Sequence, residues 1–351
     1  MLSTKIPIVV PAMTCIPRFQ EVLLLCPEIP TGGPEALHQL ALSINQQGGQ
    51  AKLAYCGPHS RVDLNGDILR CNATNSPIAE YFAQYEPRIL VETKLNARSL
   101  IIYPEVMIEL AVETQAGGAQ RAIWWLSVDN ALARFPYLRD MDRRREVLAD
   151  LQLLHLYQSE YARHFLASCG ALCCSPLSDY TRPQFIDASA DPAGAAGPRN
   201  RPNTICFFPA KGAALAKQFI EEGALRHPID LIPLHNMTRE KIRDTLSAAQ
   251  IYIDFGGHPG KDRVPREAAA AGAIVLLHAA GAARHSEDHP LASYYLFTRE
   301  EVKDGRLHRR IDEILDDPRR HFEAQKQYRE KIFGEKARFN SEVRQFFFNE
   351  R

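Results

Sequence analysis

Short apolar segments alternate with amphipathic ones along the first half of the chain. The apolar runs predict buried strands, and an apolar stripe with a spacing of three and four residues predicts a helix over 34–47. A second helix is predicted at 159–168, and the segment 172–174 is predicted to close the sheet. The predicted strands cover residues 21–26, 51–55, 88–91, 99–103, 121–126 and 151–157.

The same alternation returns after a break in composition. Residues 187–202 are rich in Ala, Gly and Pro and have no apolar periodicity, which is typical of a linker or exposed loop. Beyond residue 318 the chain is charged and predicted to be helical. The predicted strands of the second half are 204–208, 229–234, 251–255 and 273–277, and the predicted helices are 213–222, 238–248, 263–271 and 299–315.

Strands that alternate with helices indicate parallel sheets joined by right-handed crossovers. We find no internal repeat. The predicted fold class is therefore α/β, with two Rossmann-like domains that face each other across a cleft. The predicted units are an N-terminal domain (1–186), a linker (187–202), a C-terminal domain (203–330) and a final helix (331–351) that packs back on the first domain. Open α/β sheets bind ligands at the carboxyl ends of their strands, so the cleft is the expected ligand site.

The overall charge argues against binding to nucleic acid. The 351 residues include 42 Lys and Arg and 42 Asp and Glu, so the formal net charge is zero and any anion binding must be local. No apolar run approaches the roughly 18 residues that span a bilayer, and the N-terminal segment is a poor signal peptide. We expect a cytoplasmic protein with at most peripheral contact with the inner membrane face.

The cysteines are predicted to be structural thiols. A zinc site and disulfides are the alternatives, but paired C-x2-C spacing and a nearby histidine partner are both lacking. The eight residues are Cys15, Cys26, Cys56, Cys71, Cys169, Cys173, Cys174 and Cys206.

A glycine-rich turn at 256–260 joins a short apolar strand to a helix that begins with charged residues. Lys261, Arg263 and Glu267 lie at this helix start. Helix N-termini attract phosphate, and nearby cations neutralise its charge, so the segment predicts an anion pocket. The alternative is a well-capped βαβ unit with a solvated charged turn. A second turn carries Lys211, and both turns are expected at the carboxyl edge of one sheet.

Other segments offer weaker chemical signals. The paired glycines Gly32 and Gly33 precede a helix, where they allow close approach of a ligand or simply begin the helix; the spacing is not that of a dinucleotide fingerprint. The two tryptophans at 124–125 suit a wall for a sugar or base, but also the core. The segments 158–161 and 177–181 suit structural roles at least as well as direct ones. Asp140 and Asp142 match a metal pattern only formally, within a charged helix.

Together these segments resemble GT-B-fold glycosyltransferases. The similarity is greatest to bacterial glycosyltransferase-like proteins with an HPGKDR-PREAA core, which are often associated with surface-polysaccharide gene sets. The matching stretches span roughly residues 22–300. They are TGGPEALHQLA, IWWLSVDN, QSEYA, LSDYT, FFPAKG and DFGGHPGKDRVPREAAAAG.

This resemblance implies transfer of a sugar from a nucleotide-sugar donor to a carbohydrate or glycolipid acceptor. No bound cofactor or metal is expected, since the nucleotide-sugar is a co-substrate and a nucleoside diphosphate is the product. Glu267 is in the place of the acid that holds the donor ribose. The residues that match the diphosphate-binding and pocket-shaping positions are Lys211, Lys261, Arg263, His258 and Gly260, with Gly32 and Gly33 across the cleft.

The stereochemistry of transfer stays open at this point. The retaining pattern E-x7-E would require a glutamate where Pro259 stands. If the enzyme inverts, a first-domain base must deprotonate the acceptor, and Glu35, His38 and Asp129 are the candidates. A non-catalytic nucleotide or nucleotide-sugar binding protein of the same fold is the main alternative. A nucleotide-dependent epimerase or oxidoreductase is disfavoured because the dinucleotide fingerprint is missing.

Overall fold

The computed structural model describes residues 16–72, 76–113, 117–150, 152–187, 201–223 and 225–349. The strands, in chain order, are β1 (Ile16–Pro17), β2 (Glu21–Pro27), β3 (Ala51–Cys56), β4 (Val62–Asn65), β5 (Ile68–Cys71), β6 (Glu92–Lys94), β7 (Ser99–Pro104), β8 (Gln120–Trp125), β9 (Leu153–Tyr157), β10 (Cys174–Pro176), β11 (Thr204–Phe207), β12 (Asp230–Pro233), β13 (Ile251–Asp254), β14 (Ile274–His278), β15 (Leu296–Phe297) and β16 (Phe348–Asn349).

Helices connect most of these strands. They are α1 (Gly32–Gln46), α2 (Pro77–Tyr81), α3 (Ile108–Glu113), α4 (Val128–Arg134), α5 (Met141–Leu148), α6 (Glu160–Ser168), α7 (Pro183–Asp187), α8 (Ala213–Glu222), α9 (Arg239–Ala248), α10 (Arg263–Ala270), α11 (Arg299–Lys303), α12 (Arg306–Asp316), α13 (Pro318–Ala324) and α14 (Lys326–Phe347).

The first large sheet is parallel, with the strand order β10-β9-β8-β7-β2-β3. All six positions of β7 are buried, because helices cover both faces of the sheet. The chain proceeds from β2 to β3 in one direction and from β7 onwards in the other. The switch point of this sheet therefore lies between the carboxyl ends of β2 and β7, where an open α/β sheet leaves a crevice.

The second large sheet is also parallel and repeats this geometry with the order β12-β11-β13-β14-β15. Its switch point lies between β11 and β13. The turn that carries Lys211 follows β11, and the glycine-rich turn 256–260 follows β13. The two turns that the sequence places on one sheet edge are thus neighbours.

The long helix α14 contacts both hydrophobic cores. Its first half contributes Tyr328 and Ile332 to the core around the second sheet. Its second half contributes Phe339, Val343 and Phe347 to the core around the first sheet. The helix therefore ties the two sheets together by burying apolar side chains on each side.

The structure differs from the predicted elements at several places. The predicted helix 299–315 is two helices, because Gly305 has a left-handed φ of 75° and breaks the turn between α11 and α12. The predicted strand 88–91 is reduced to a single bridge between Ile89 and Leu53. An antiparallel sheet of β4, β5 and β6 was not predicted, since its strands are short and half exposed.

The structure also gives the surroundings of the tryptophans, of Asp140 and of the cysteines. Both tryptophans are fully buried: Trp124 donates to the carbonyl of Leu177 at 2.8 Å, and Trp125 donates to His155 at 3.1 Å. Asp140 caps α5. Cys26, Cys56, Cys169, Cys174 and Cys206 form no disulfide bond, and Cys15 lies outside the described residues, as does most of the predicted linker 187–202. Among the helices that the structure describes, none has the length and apolar character to cross a membrane.

Candidate functional site

A cleft of about 1210 Å³ opens where the carboxyl ends of the two parallel sheets face each other. The turns after β2 and β7 line one side, and those after β11 and β13 line the other. Seven of the eight residues predicted to bind the donor line this cleft, namely Gly32, Gly33, Lys211, Gly260, Lys261, Arg263 and Glu267.

The loop 259–261 of the second unit touches the first unit directly. The carbonyl of Pro259 accepts a hydrogen bond of 2.8 Å from the N–H of Val128, and the N–H of Lys261 donates to Gln158 at 3.1 Å. A Cβ atom added at Gly260 would overlap the carbonyl oxygen of Leu126. Only glycine allows this close approach of the two backbones. The floor of the cleft is therefore an interface at which the backbones of the two units are in direct contact.

Three cationic side chains line the cleft close to this interface, on the side of the second sheet. The ammonium of Lys211 lies 2.7 Å from Asp262, and its side chain is 38% exposed. Lys261 is buried, with its ammonium 3.5 Å from Glu335 and farther from Asp179. Arg263 also lines the cleft. Positive groups at the end of a parallel sheet favour a phosphate or diphosphate.

A buried ion-pair cluster holds Lys261 and Arg263 in place. Arg266 is fully buried and donates to Asp179 at 2.8 Å and to Glu335 at 2.7 Å. Burial would raise the pKa of Asp179, but Arg266, Arg263 and Lys261 outweigh it and hold that pKa well below its usual range. Asp179 therefore carries a charge that helps to fix the cationic side of the cleft, where Glu335 contacts Arg266 and Lys261.

Glu267 lines the cleft from the middle of α10 and is almost fully buried. Arg182 lies 3.1 Å from its carboxylate and also 2.7 Å from Glu35. Burial raises the pKa of Glu267. For Glu35 burial acts in the same direction, but Arg263 and Arg182 outweigh it and lower the pKa to about 2. Of these two acids, Glu267 lines the cleft and Glu35 does not.

The three predicted base candidates do not line the cleft that the structure describes. Glu35 is paired with two arginines. His38 is buried between the carbonyl of Pro34 (2.7 Å) and the hydroxyl of Tyr55 (2.8 Å), and burial lowers its pKa to about 4. Asp129 accepts a hydrogen bond of 2.6 Å from Tyr161. Glu35 and His38 are therefore buried with structural partners, whereas Asp129 is half-buried and paired with Tyr161.

His258 lies behind the loop and not on the cleft surface. Its φ of 48° is left-handed, and its ring is fully buried, with Nδ1 3.4 Å from Asp262. His258, Asp254 and Asp262 form the one group of potential metal ligands among the described residues. The Lys211 ammonium already neutralises Asp262, and Asp254 accepts hydrogen bonds from Tyr252 and Gly256. These contacts hold the loop in place.

The two units also meet at the mouth of the cleft. Arg239, at the start of α9, places its guanidinium 4.0 Å from the ring centroid of Tyr81 and donates to its hydroxyl at 3.0 Å. Both residues line the cleft. A cation–π contact of this kind is weak enough to open, since it contributes only about 1 kcal/mol at exposed sites.

Several residues of the site were not predicted from the sequence. Asp179 and Arg182 follow one another closely in the segment before the linker, and Glu335 lies on α14. Nothing local in the sequence pairs them with Arg266, which is far away along the chain. The one available signal was the polar segment 177–181, directly after a short strand, but its partners are set by tertiary structure.

Comparisons with known proteins give a consistent picture of the fold. No protein-family model matches the sequence, and no curated protein matches it. Sucrose-phosphate synthase from Thermosynechococcus elongatus matches with a TM-score of 0.58 at 14% identity, over 93% of this chain and 98% of that chain. Anabaena HepE in complex with UDP-glucose matches with a TM-score of 0.58 at 11% identity, over 93% and 98%. Trehalose-6-phosphate synthase OtsA matches with a TM-score of 0.55 at 13% identity, over 94% and 100%.

These structures are GT-B glycosyltransferases with two Rossmann-like domains. At this level of identity the similarity concerns the fold, while the narrower likeness to proteins with an HPGKDR-PREAA core stays a prediction. The predicted fold class is confirmed: the chain has the GT-B fold, with two Rossmann-like α/β domains across a cleft.

Proposed function

We propose that this protein is a glycosyltransferase that moves a sugar from a nucleotide-sugar to an acceptor. The observation that carries the proposal is the meeting of Lys211, Lys261, Arg263 and Glu267 on one side of the cleft. Cations beside a carboxylate suit a nucleoside diphosphate, whose phosphates need positive charge and whose ribose hydroxyls can donate to an acid.

The diphosphate leaving group explains why the cations matter for rate. As the bond between the sugar and the diphosphate breaks, negative charge builds on the leaving oxygen. Fixed positive groups stabilise that charge without reorganisation, and each is worth a few kcal/mol of transition-state energy, about 2.7–4 for a well-placed donor. Lys211 is the most exposed of the three cations, so it is placed to make this contact. The charge that a metal would otherwise supply is present in these side chains, and we propose metal-independent transfer.

The solved structures of similar fold determine which substrates to test first. HepE was solved with UDP-glucose and with UDP, so uridine nucleotides are the first donors to test. We propose a carbohydrate or glycolipid acceptor, in surface polysaccharide or glycoconjugate assembly, from the likeness of the loop 258–269 to proteins of such gene sets.

A donor panel tests this function. The purified protein is incubated with UDP-glucose, UDP-galactose, UDP-N-acetylglucosamine and GDP-mannose, and release of the nucleoside diphosphate is measured with and without a chelator. We expect release from at least one donor, at a rate that the chelator leaves unchanged. Tight nucleotide binding without release from any donor would instead identify a non-catalytic nucleotide-binding protein of the same fold.

A further inference from the structure

Glu105 occupies the switch point of the first sheet. It follows β7 directly and opens a short 3-10 turn, Glu105–Met107. β7 pairs with β2 on one side, so Glu105 lies beside the turn that leads into Gly32 and Gly33. Ligands of open α/β sheets bind outside the strand ends at this point. Glu105 is also among the residues that line the cleft.

Leu126 contacts both Glu105 and the loop that we assign to donor binding. The Glu105 carboxylate accepts a hydrogen bond of 3.2 Å from the N–H of Leu126. The carbonyl of the same Leu126 is packed against Gly260, and its side chain lies 3.7 Å from the Cβ position of Gly33. One residue therefore touches the carboxylate, the first-domain glycine loop and the donor loop. Glu105 therefore lies at the junction between the first-domain glycine loop and the donor loop.

Glu105 differs from the other acids of the cleft because it is not neutralised by a cation. Among the described residues it forms no ion pair, whereas Glu267 faces Arg182 and Asp179 faces Arg266. The elements packed against the 105–107 turn are α3, α4, β7 and β8. None of their charged side chains forms a described ion pair with Glu105; these are Glu109, Glu113, Arg121, Asp129 and Arg134.

Burial without a counter-charge has a chemical consequence. The Glu105 side chain is only slightly exposed, and burial raises its pKa to about 7, against the smaller effect of hydrogen bonds from its own N–H and that of Leu126. A carboxyl group of this kind exchanges a proton near neutral pH. General bases work best when their pKa lies close to the working pH.

We propose that Glu105 is the general base of the transfer, an inference that rests on the proposed function. The Glu105 carboxylate takes the proton of the acceptor hydroxyl as the acceptor oxygen forms a bond to the anomeric carbon. The bond from that carbon to the diphosphate oxygen breaks, and its electron pair leaves with the nucleoside diphosphate. The acid form of Glu105 then returns the proton to water. A single displacement of this type inverts the anomeric configuration.

The test compares Glu105→Gln with Glu109→Gln, an exposed acid one turn further along. Glutamine keeps an oxygen that can accept from Leu126 but cannot take a proton. The donor is the one found to react best in the panel, with water or the added sugar as acceptor. We expect Glu105→Gln to lower the rate of diphosphate release about 100-fold or more, which is the usual share of a general base. The wild-type rate should rise with pH through about 7 and level off, and the residual rate of the variant should be flat.

Nucleotide binding and the anomeric configuration of the product distinguish the loss of a general base from other effects of the substitution. Thermal shift with the product nucleoside diphosphate should stabilise wild type and Glu105→Gln equally, and hydrolysis of UDP-glucose followed by NMR should give β-glucose before mutarotation. A wild-type rate in Glu105→Gln, loss of its nucleotide-induced shift, or α-glucose as the first product would overturn the role of Glu105 and leave the proposed function standing. No release by the wild-type protein from any donor would overturn the proposed function itself.

Discussion

The guanidinium of Arg182 lies between two carboxylates, 3.1 Å from Glu267 and 2.7 Å from Glu35. Glu35 belongs to α1 of the first domain, and Glu267 belongs to α10 of the second. The acid that we assign to the donor ribose is thus connected by an ion pair to the interface between the domains. Nucleotide binding should therefore alter the contacts across that interface.

Removing the charge of Glu267 should weaken binding of the ribose. In Glu267→Gln we expect the affinity for UDP to fall about tenfold or more, because a hydrogen bond to a charged group contributes about 1.5–3 kcal/mol. The variant should also bind UDP and 2′,3′-dideoxy-UDP equally, whereas the wild type should prefer UDP. Isothermal titration calorimetry with both ligands measures this, with Glu222→Gln, an exposed acid on α8, as the control. A variant that still prefers UDP would show that Glu267 does not hold the ribose.

Lys211 should contribute to binding of the diphosphate but not of the base. Lys211→Met is expected to reduce the affinity for UDP about tenfold and to leave binding of uridine unchanged, since only UDP carries phosphate charge. Lys217→Met is the matched control, because Lys217 lies on the adjacent helix α8 and pairs with Glu221 on the surface. Equal losses for UDP and uridine would mean that the substitution damages the site as a whole.

The close backbone contact at Gly260 gives a test of the loop. A Cβ at this position would overlap the Leu126 carbonyl, so Gly260→Ala must displace the loop that carries Lys261. We expect the affinity for UDP to fall at least tenfold and the free energy of unfolding to fall by about 1–3 kcal/mol. Gly257→Ala, in the same turn, has open space and should change neither quantity. Similar behaviour of the two variants would contradict the assigned geometry.

The buried ion pairs of Arg266 should stabilise the assembled domains. Arg266→Met leaves Asp179 and Glu335 without their principal partner in a buried setting. Breaking such a pair costs about 3–5 kcal/mol. Urea unfolding should show a loss of that order, whereas Arg143→Met, which removes an exposed pair with Glu146, should unfold like the wild type. An Arg266→Met protein as stable as the wild type would refute the structural role of the cluster.

Local pattern was enough to predict most strands of the two parallel sheets. Helix 213–222 matches α8 at both ends, and the turns that follow β11 and β13 are neighbours, as expected for parallel strands of one sheet. The break at Gly305 was missed because the apolar spacing continues through it. The spacing of apolar residues indicates which face of a helix is buried, but it does not reveal a change in φ at a single residue.

The site itself was only half visible in the sequence. Residues of the donor loop stand close together in the chain, so their charge and glycine content indicated an anion pocket. The partners of that loop come from elsewhere: Glu335 is on the last long helix, and Arg182 lies just before the linker. Glu35 is a candidate base by type, but its two arginines hold it as a structural anion. Such assignments depend on tertiary contacts that no local pattern encodes.

A crystal structure with UDP bound tests the assigned donor site most directly. We predict that the diphosphate lies beside Lys211, Lys261 and Arg263, and that the ribose hydroxyls lie within hydrogen-bond distance of Glu267. UDP bound with its phosphates away from the 256–263 loop, or with Glu267 still paired to Arg182 and out of reach of the ribose, would contradict the assignment of the donor site.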